Sequence, residues 1–279
     1  VEIQPLPILW LHWGFGRIVH SFSGNRGANM AVQGIIRVAI NGYGVIGKRV
    51  ADAVAVQKDM ALAGVADIAT DWRPRAALHK GYSLYGATSE HAASMRAAGL
   101  DVSGTLDDLL EAADIVVDCT PKHLASKNIE TYRRLGIKYI VHGGAKHEST
   151  GHSFVAEANY ASAVGRDCSR VVSCNTTSII RTLSALKRHG LLDRARGTLL
   201  RRATDPWESH QGGIMNTVVP EPEIPSHQGP DAQSVDPDLD VVTMAVKVPE
   251  TLAHLHYWSV QLTRDASRDE VLDAFRTSS

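Results

Sequence analysis

The sequence predicts an α/β protein with a doubly wound parallel sheet, followed by a second domain of α+β character with a mixed or antiparallel sheet. Two observations predict this. From Ile35 to Cys174, short apolar and β-branched runs alternate with stretches of helical spacing, the mark of strand–helix–strand units and so of a parallel sheet. Beyond Cys174 the text changes to a long amphipathic helix and longer strand-like runs, such as Leu252 to Leu262. A length of 279 residues agrees with two domains, at about 150 residues each.

Composition narrows the function. Lys and Arg total 29 against 30 for Asp and Glu, a net charge of −1, too balanced for general polyanion binding. Basic clusters such as Arg194, Arg196, Arg201 and Arg202 therefore read as a solvated face or as phosphate ligands, and no nucleic acid is expected as a partner. Hydrophobic residues at 44% and charged residues at 21% exclude wholesale disorder. The three cysteines, Cys119, Cys168 and Cys174, are odd in number and widely spaced, which argues against a disulfide framework and for a reducing, cytoplasmic compartment.

Taken in order, residues 1–29 hold Trp10, Trp13 and an apolar run only from Ile8 to Leu11, far short of the roughly 20 residues of a membrane span. They also lack the basic start and small-residue cleavage pattern of a secretory signal. Met30 directly precedes a clean strand, so residues 1–29 read as an extension, 30–173 as the first domain and 174–279 as the second. Ile-Ile-Arg-Val-Ala-Ile40 suits a buried strand, and Asn41-Gly42-Tyr43-Gly44-Val45-Ile46-Gly47 leads into a helix with Ile46, Val50, Ala53 and Val54 at helical spacing. Gly42 provides the tight turn, Gly44 the close approach of backbone to a pyrophosphate, and Gly47 the close packing of helix on strand, with the amides of Val45 and Ile46 at the helix N-terminus. A second strand, Ala61 to Ala66, ends at Asp67, twenty residues beyond Gly47. The ribose-binding acid of a Rossmann-type dinucleotide domain stands at that distance.

The alternation continues. Thr105 caps a helix with Asp108 three residues on, Ile115 to Cys119 is a strand, and Leu124, Ile129, Tyr132 and Leu135 form a helix closed by Gly136. Tyr139 to Val141 is the next strand, ending in His142-Gly143-Gly144. Thr120, Pro121, Gly143 and Gly144 all follow strand ends, where an open parallel sheet binds its ligand. Arg170 to Ser173 reads as another strand, running into Cys174-Asn175-Thr176-Thr177 and a helix with Ile179, Ile180, Leu183 and Leu186 on its apolar side. Cys174 thus stands just before a helix N-terminus, where the dipole favours thiolate and free amides can hold an oxyanion. Cys119 and Cys168, in a strand and a loop, read as small buried hydrophobes. His254 and His256 share one face of a strand; one as a catalytic base, both as metal ligands, or both as structural residues are the competing readings. No third ligand or Cys-x-x-Cys stands near, so no metal is expected. Ser267 to Glu270 has the form of a capping box opening a last helix through Val271, Leu272 and Phe275.

Ile40-Asn-Gly-Tyr-Gly44, Asp118-Cys-Thr-Pro121, Val171-Val-Ser-Cys-Asn-Thr-Thr177, Arg201-Arg202 with Asp205-Pro206, Pro225-Ser-His-Gln-Gly-Pro-Asp231, and Pro249 followed by Thr251-Leu-Ala-His-Leu-His256 stand in one order along the chain. In these motifs, from about Ile35 to the end, the sequence resembles the archaeal-type, tetrameric phosphorylating glyceraldehyde-3-phosphate dehydrogenases. The resemblance implies a nucleophile at Cys174, an acid/base at His254 that takes the hydroxyl proton during hydride transfer, and His256 as its supporting partner. It implies substrate contacts from Ser173, Asn175, Thr176, His227, Gln228 and Gly229, with Gln228 standing where many relatives carry a second histidine. It also implies inorganic phosphate as co-substrate and a homotetramer. Guanidinium groups suit the phosphates, but adjacent strand residues face opposite ways; the resemblance puts Arg202 on the cofactor side of the cleft and leaves Arg201 the weaker candidate. Many relatives carry a Lys suited to the 2′-phosphate of NADP where this chain has Asp67, so NAD is expected over NADP, with Arg73 and Arg75 as the residues that would offset it. Relatives also continue through more of the catalytic sheet and a long helix, so the second domain reads as incomplete. The alternatives are another cysteine-dependent enzyme of this architecture, such as an aspartate-semialdehyde dehydrogenase or an N-acetyl-glutamyl-phosphate reductase, or a nucleotide-binding remnant without turnover.

Overall fold

A computed structural model of the chain describes residues 34–142, 145–203, 217–250 and 252–278. Residues 1–29, Gly143 and Gly144 lie outside these. The first sheet is wholly parallel. Its strands are β1 (Ile36–Asn41), β2 (Met60–Asp67), β3 (Leu84–Gly86), β4 (Gly104–Thr105), β5 (Ile115–Asp118), β6 (Lys138–Val141), β7 (Ser153–Phe154) and β8 (Cys168–Val171), in the spatial order β4-β3-β2-β1-β5-β6-β8-β7. The chain winds outward from β1 to β4 and then returns to pair β5 on the other side of β1. That reversal opens a crevice at the C-terminal ends of β1 and β5, the place where such sheets hold ligands.

Six helices connect these strands: α1 (Val45–Ala55), α2 (Trp72–His79), α3 (Ser89–Ala97), α4 (Leu106–Glu111), α5 (Lys122–Leu135) and α6 (Ala156–Ala163). Strand alternation sends Val38 and Ile40 into a core with Ala51, Val54, Leu84 and Met95 on one face. Ala39 goes to the other face with Leu109, Val116, Ile129 and Tyr132. Both faces are covered, which explains why these strands read as continuous apolar runs. Thr105 and Asp108 form the reciprocal cap of α4, and Gly136 ends α5 with φ of 65°, in the left-handed region that favours glycine.

The second sheet is mixed. Its strands are β9 (Leu192–Arg202), β10 (Val219–Pro220), β11 (Val241–Val248) and β12 (Leu255–Leu262), in the order β10-β11-β9-β12. β9 pairs parallel with β11 and antiparallel with β12. Helix α7 (Cys174–Arg188) leaves the end of β8 and lies on this second sheet; α8 (Gln228–Gln233) packs beside it and α9 (Arg268–Arg276) follows β12. Ile179, Ile180 and Leu183 are fully buried against Ala195, Leu199, Val241 and Ala245, and side chains of this size each contribute about 1.5–3 kcal/mol on burial. The helix that carries Cys174 is thereby fixed along its length.

Three local expectations change. β8 ends at Val171, two residues before the expected Ser173, because Ser173 is the N-cap of α7 and accepts from the Thr176 amide. The same strand begins at Cys168 instead of Arg170, so Cys168 lies in a strand and not a loop. β12 begins at Leu255 rather than Leu252. Ser267 does cap α9, but Glu270 turns its carboxylate to Arg264 at 2.5 Å instead of returning to the cap.

Candidate active site

The glycine loop between β1 and α1 is built by close approach. Gly42 has φ of 93°, and a Cβ there would lie 3.0 Å from the Cys119 carbonyl carbon and the Thr120 amide, so this loop and the turn after β5 touch. A Cβ at Gly47 would overlap the Gly42 carbonyl oxygen, whereas one at Gly44 would meet only open space. Gly44 is the N-cap of α1 and no side chain caps it. The first-turn amides, Val45 and Ile46 among them, have no side-chain cap and adjoin the open space at Gly44. The buried stripe of α1 is Gly47, Ala51 and Val54, while Ile46, Val50 and Ala53 line an apolar cleft shared with Arg202.

Asp67, expected as a ribose acceptor, is buried and already engaged. Its carboxylate accepts from the amides of Tyr43 at 2.7 Å, Ile68 at 2.7 Å and Ala69 at 2.9 Å. It braces the glycine loop, a task that spacing alone did not reveal. Arg73 pairs with Asp71 at 2.7 Å, and Arg75 donates to the Ala98 carbonyl.

Across the crevice, Thr120 and Pro121 follow β5. The fully buried Asp118 accepts from the Thr120 amide at 2.8 Å, the Thr120 hydroxyl at 2.6 Å, Asn128 at 2.8 Å and the Tyr132 hydroxyl at 2.8 Å, and Asn41 donates to Tyr132 at 2.8 Å. A carboxylate so satisfied holds the turn rigid. Burial, together with the Asp118 charge, pushes the Cys119 thiol up to about 12. Burial also holds His142, at the end of β6, below the usual histidine range.

Cys174 is the first residue of α7 and is exposed. Its Sγ lies 3.2 Å from His254 Nε2. Thr176 and Thr177 donate their amides to the Ser173 hydroxyl at 3.1 Å and carbonyl at 2.8 Å, so the amides of Cys174 and Asn175 are the first-turn donors without an intrahelical acceptor. The Arg202 amide donates to His254 Nδ1 at 3.1 Å. Since Nδ1 accepts, neutral His254 carries its proton on Nε2. In that form it faces the sulfur as a donor. His256, two residues on, points to a different partner: its Nε2 lies 2.9 Å from Asn175 Oδ1. The two histidines thus serve neighbouring residues of α7 and do not converge on one point.

Thr176 connects this helix to the rest of the site. Its hydroxyl donates to Asp231 at 2.7 Å, and Asp231 also pairs with Arg170 at 2.5 Å. Arg170 is buried on β8 and further donates to Ser153, the Ala145 carbonyl and Ser234. Sequence reasoning missed Arg170 and gave Asp231 no role. The pair is 61 residues apart, and no local pattern announces it.

The substrate-loop residues form a second cluster. Arg201 pairs with Glu221, His227 Nδ1 lies 2.9 Å from Glu221, and the buried Gln228 donates to Ser226 at 2.8 Å while its oxygen accepts from Arg201 at 3.0 Å. Burial would raise the Glu221 carboxyl, but the hydrogen bond from His227 and the charges of His227 and Arg201 outweigh it and leave it below the ordinary range. Gly229 stands against Thr243, whose Oγ1 a Cβ would approach to 3.1 Å. Arg201 falls on the β9 face of Ala195 and Leu199, toward α7, and Arg202 on the opposite face, lining the α1 cleft. The alternation foreseen for the two arginines is present.

Residues 173–279 match the family model described as glyceraldehyde 3-phosphate dehydrogenase, C-terminal domain, and residues 36–159 match that of the dihydrodipicolinate reductase N-terminus. Glyceraldehyde-3-phosphate dehydrogenase of Methanobrevibacter smithii is 45% identical over 87% of this chain and 72% of its own length. That of Methanothermus fervidus is 46% identical over 85% and 70%, and that of Thermococcus kodakarensis 44% over 87% and 72%. The chain belongs to the glyceraldehyde-3-phosphate dehydrogenase family. It spans about 72% of the length of the first of these relatives. Like other members of the glyceraldehyde-3-phosphate dehydrogenase family, it is an NAD(P)-dependent oxidoreductase acting on an aldehyde. Among solved structures, aspartate-semialdehyde dehydrogenases share the fold: that of Francisella tularensis covers 88% of this chain and 81% of its own with a TM-score of 0.62, and one from Vibrio cholerae covers 87% and 79% with 0.61. At 11% and 13% identity that likeness is one of fold alone. Among the described residues, no helix is long and apolar enough to cross a membrane.

Proposed function

We propose that the chain oxidises glyceraldehyde 3-phosphate in the presence of inorganic phosphate to 1,3-bisphosphoglycerate, using NAD in preference to NADP. The observation that carries the reading is the exposed Cys174 sulfur at the head of α7, 3.2 Å from His254 Nε2. The loop at Gly42, Gly44 and Gly47 fits a dinucleotide, since the open space lies at Gly44 and the uncapped α1 amides adjoin it. Thr120 and Pro121 form the opposite wall, and Gly143 and Gly144 follow β6 in sequence.

In this mechanism Cys174, at the first turn of α7, attacks as the thiolate, and His254 donates to it from Nε2. The sulfur adds to the aldehyde carbon, and the alkoxide that forms accepts hydrogen bonds from His254 and from the amides of Cys174 and Asn175. When bound, the nicotinamide ring supplies the acceptor for the hydride that leaves this carbon, which turns the adduct into a thioester on Cys174. Phosphate then adds to the thioester carbonyl and expels the Cys174 thiolate, which regains its bond from His254. Arg201 and His227 supply donors for the phosphate groups, with Gln228 buried behind them and accepting from Arg201, and Arg202 serves the cofactor side. Asp67 holds a negative charge at the end of β2, which disfavours a 2′-phosphate.

A homotetramer agrees with the outer face of the second sheet, where Met244, Leu255 and Tyr257 are exposed. The test is cofactor reduction with glyceraldehyde 3-phosphate and phosphate. Turnover should require both substrates, vanish in Cys174→Ser and show a higher kcat/KM for NAD than for NADP. Cofactor binding without turnover would overturn the reaction, and a clear preference for NADP would overturn the part given to Asp67.

A further inference from the structure

His256 is not spent on Cys174, yet it lies one hydrogen bond from the residue beside it. Asn175 is 3% exposed, and its Oδ1 can only accept, so the 2.9 Å contact fixes the proton of His256 on Nε2. The other nitrogen, His256 Nδ1, is sealed from solvent and has no partner among the described residues. Protonating it would bury an N–H that finds no acceptor, and burial indeed holds this histidine below its usual range. The ring is held from behind: Trp258 meets it edge to face with centroids 6.1 Å apart, and Trp258 in turn fills the space that Gly197 leaves by lacking a side chain. A neutral, single-tautomer His256 therefore dictates which end of the Asn175 carboxamide faces it. The oxygen faces His256, so the Nδ2 group faces away from that ring, has no protein partner among the described residues, and is not fully buried.

We propose that His256 is a positioning residue: by donating to Asn175 Oδ1 it presents the Asn175 amide nitrogen to the oxyanion formed on an acyl or aldehyde carbon attached to Cys174. The inference rests on the reading of Cys174 as the nucleophile. With the opposite tautomer the carboxamide would turn its oxygen toward the oxyanion and repel it, so the geometry of the pair selects one orientation. His256 acts through Asn175 and touches no reacting atom.

The experiment compares two reactions of Cys174 in the whole chain, neither of which needs cofactor or phosphate. Acylation by p-nitrophenyl acetate, followed as the burst of p-nitrophenolate, passes through an oxyanion; alkylation by iodoacetamide does not. His256→Leu should slow acylation by about a hundredfold, the low end of what loss of one oxyanion donor costs, while alkylation stays within about twofold. His256→Gln, which keeps an amide donor near the Nε2 position, should recover most of the acylation rate. In an Asn175→Ala background, His256→Leu should cost nothing further. Equal loss in both reactions, failure of the Gln variant to recover, or additive losses in the double variant would each overturn the proposal, and the folded Gln variant decides the matter if the Leu variant does not fold. Failure of the dehydrogenase reading would look different: normal acylation and normal variant effects, with no cofactor reduction by the unaltered chain.

Discussion

Replacing Asp231 by Asn tests whether the link between β8, α7 and α8 is as strong as its geometry implies. Arg170 is 5% exposed, and among the described residues Asp231 is the carboxylate within reach of its guanidinium, at 2.5 Å; Ser153, Ser234 and the Ala145 carbonyl are neutral. Asp231→Asn keeps the shape and one acceptor but removes the charge, which leaves a buried cation uncompensated. Breaking a buried pair in this way costs about 3–5 kcal/mol, and at roughly 2–4 °C per kcal/mol for a chain of this size Tm should fall by about 6–20 °C. The change also weakens the acceptor of the Thr176 hydroxyl, now 2.7 Å away, so the turn that carries Cys174 should loosen. The assay is thermal unfolding by circular dichroism, with Asp240→Asn as the reference. Asp240 pairs with Arg196 at 2.8 Å on the surface, both side chains about half exposed, and such pairs contribute only about 0–1 kcal/mol. If Asp231→Asn melts within about 2 °C of Asp240→Asn, the buried pair does not hold these elements together and the reasoning fails.

Cysteine chemistry and pH give two further outcomes. At pH 8 iodoacetamide should label the exposed Cys174 well before Cys119, whose thiol at about 12 leaves only about one part in ten thousand as thiolate; peptide mass spectrometry showing comparable labelling of both in the folded protein would contradict the burial argument. Burial depresses His142, His152 and His256, so below about pH 6.5 the unfolded chain takes up protons that the folded chain refuses. Stability from these groups is therefore present at pH 7.5 and declines as pH falls, and a Tm that stays flat between pH 7.5 and 5.5 would show that these rings are not held neutral.

What the sequence disclosed follows the range of its physics. The glycine loop, the cap of α4, the left-handed Gly136 and the place of Cys174 at the head of α7 depend on residues within one or two turns of each other, so periodicity and spacing reveal them. The proximity of His254, just before β12, and His256, within it, was legible for the same reason. Their separate partners were not, since Asn175 and Cys174 are about eighty residues away and only the packing of α7 on the second sheet brings them close. Arg170 reads in sequence as one polar residue in a strand, and its purpose becomes visible only when Asp231, from α8, stands beside it. Asp67 shows the converse: spacing found its position, but the hydrogen bond from Tyr43 showed that it first has to hold the loop. Glu221 gave no signal, because a carboxylate between Arg201 and His227 has no counterpart in local pattern.

The central strand β9 gives Arg201 to the helix-covered face and Arg202 to the face toward α1, and it pairs along its length with β11 and β12. Parity along that strand decides which compartment receives which positive charge. A single-residue deletion between Leu192 and Leu200 would exchange the two guanidinium groups and leave composition and net charge almost untouched. Such a chain could keep both arginines and both ligand surfaces and still be miswired, with each cation delivered to the wrong side.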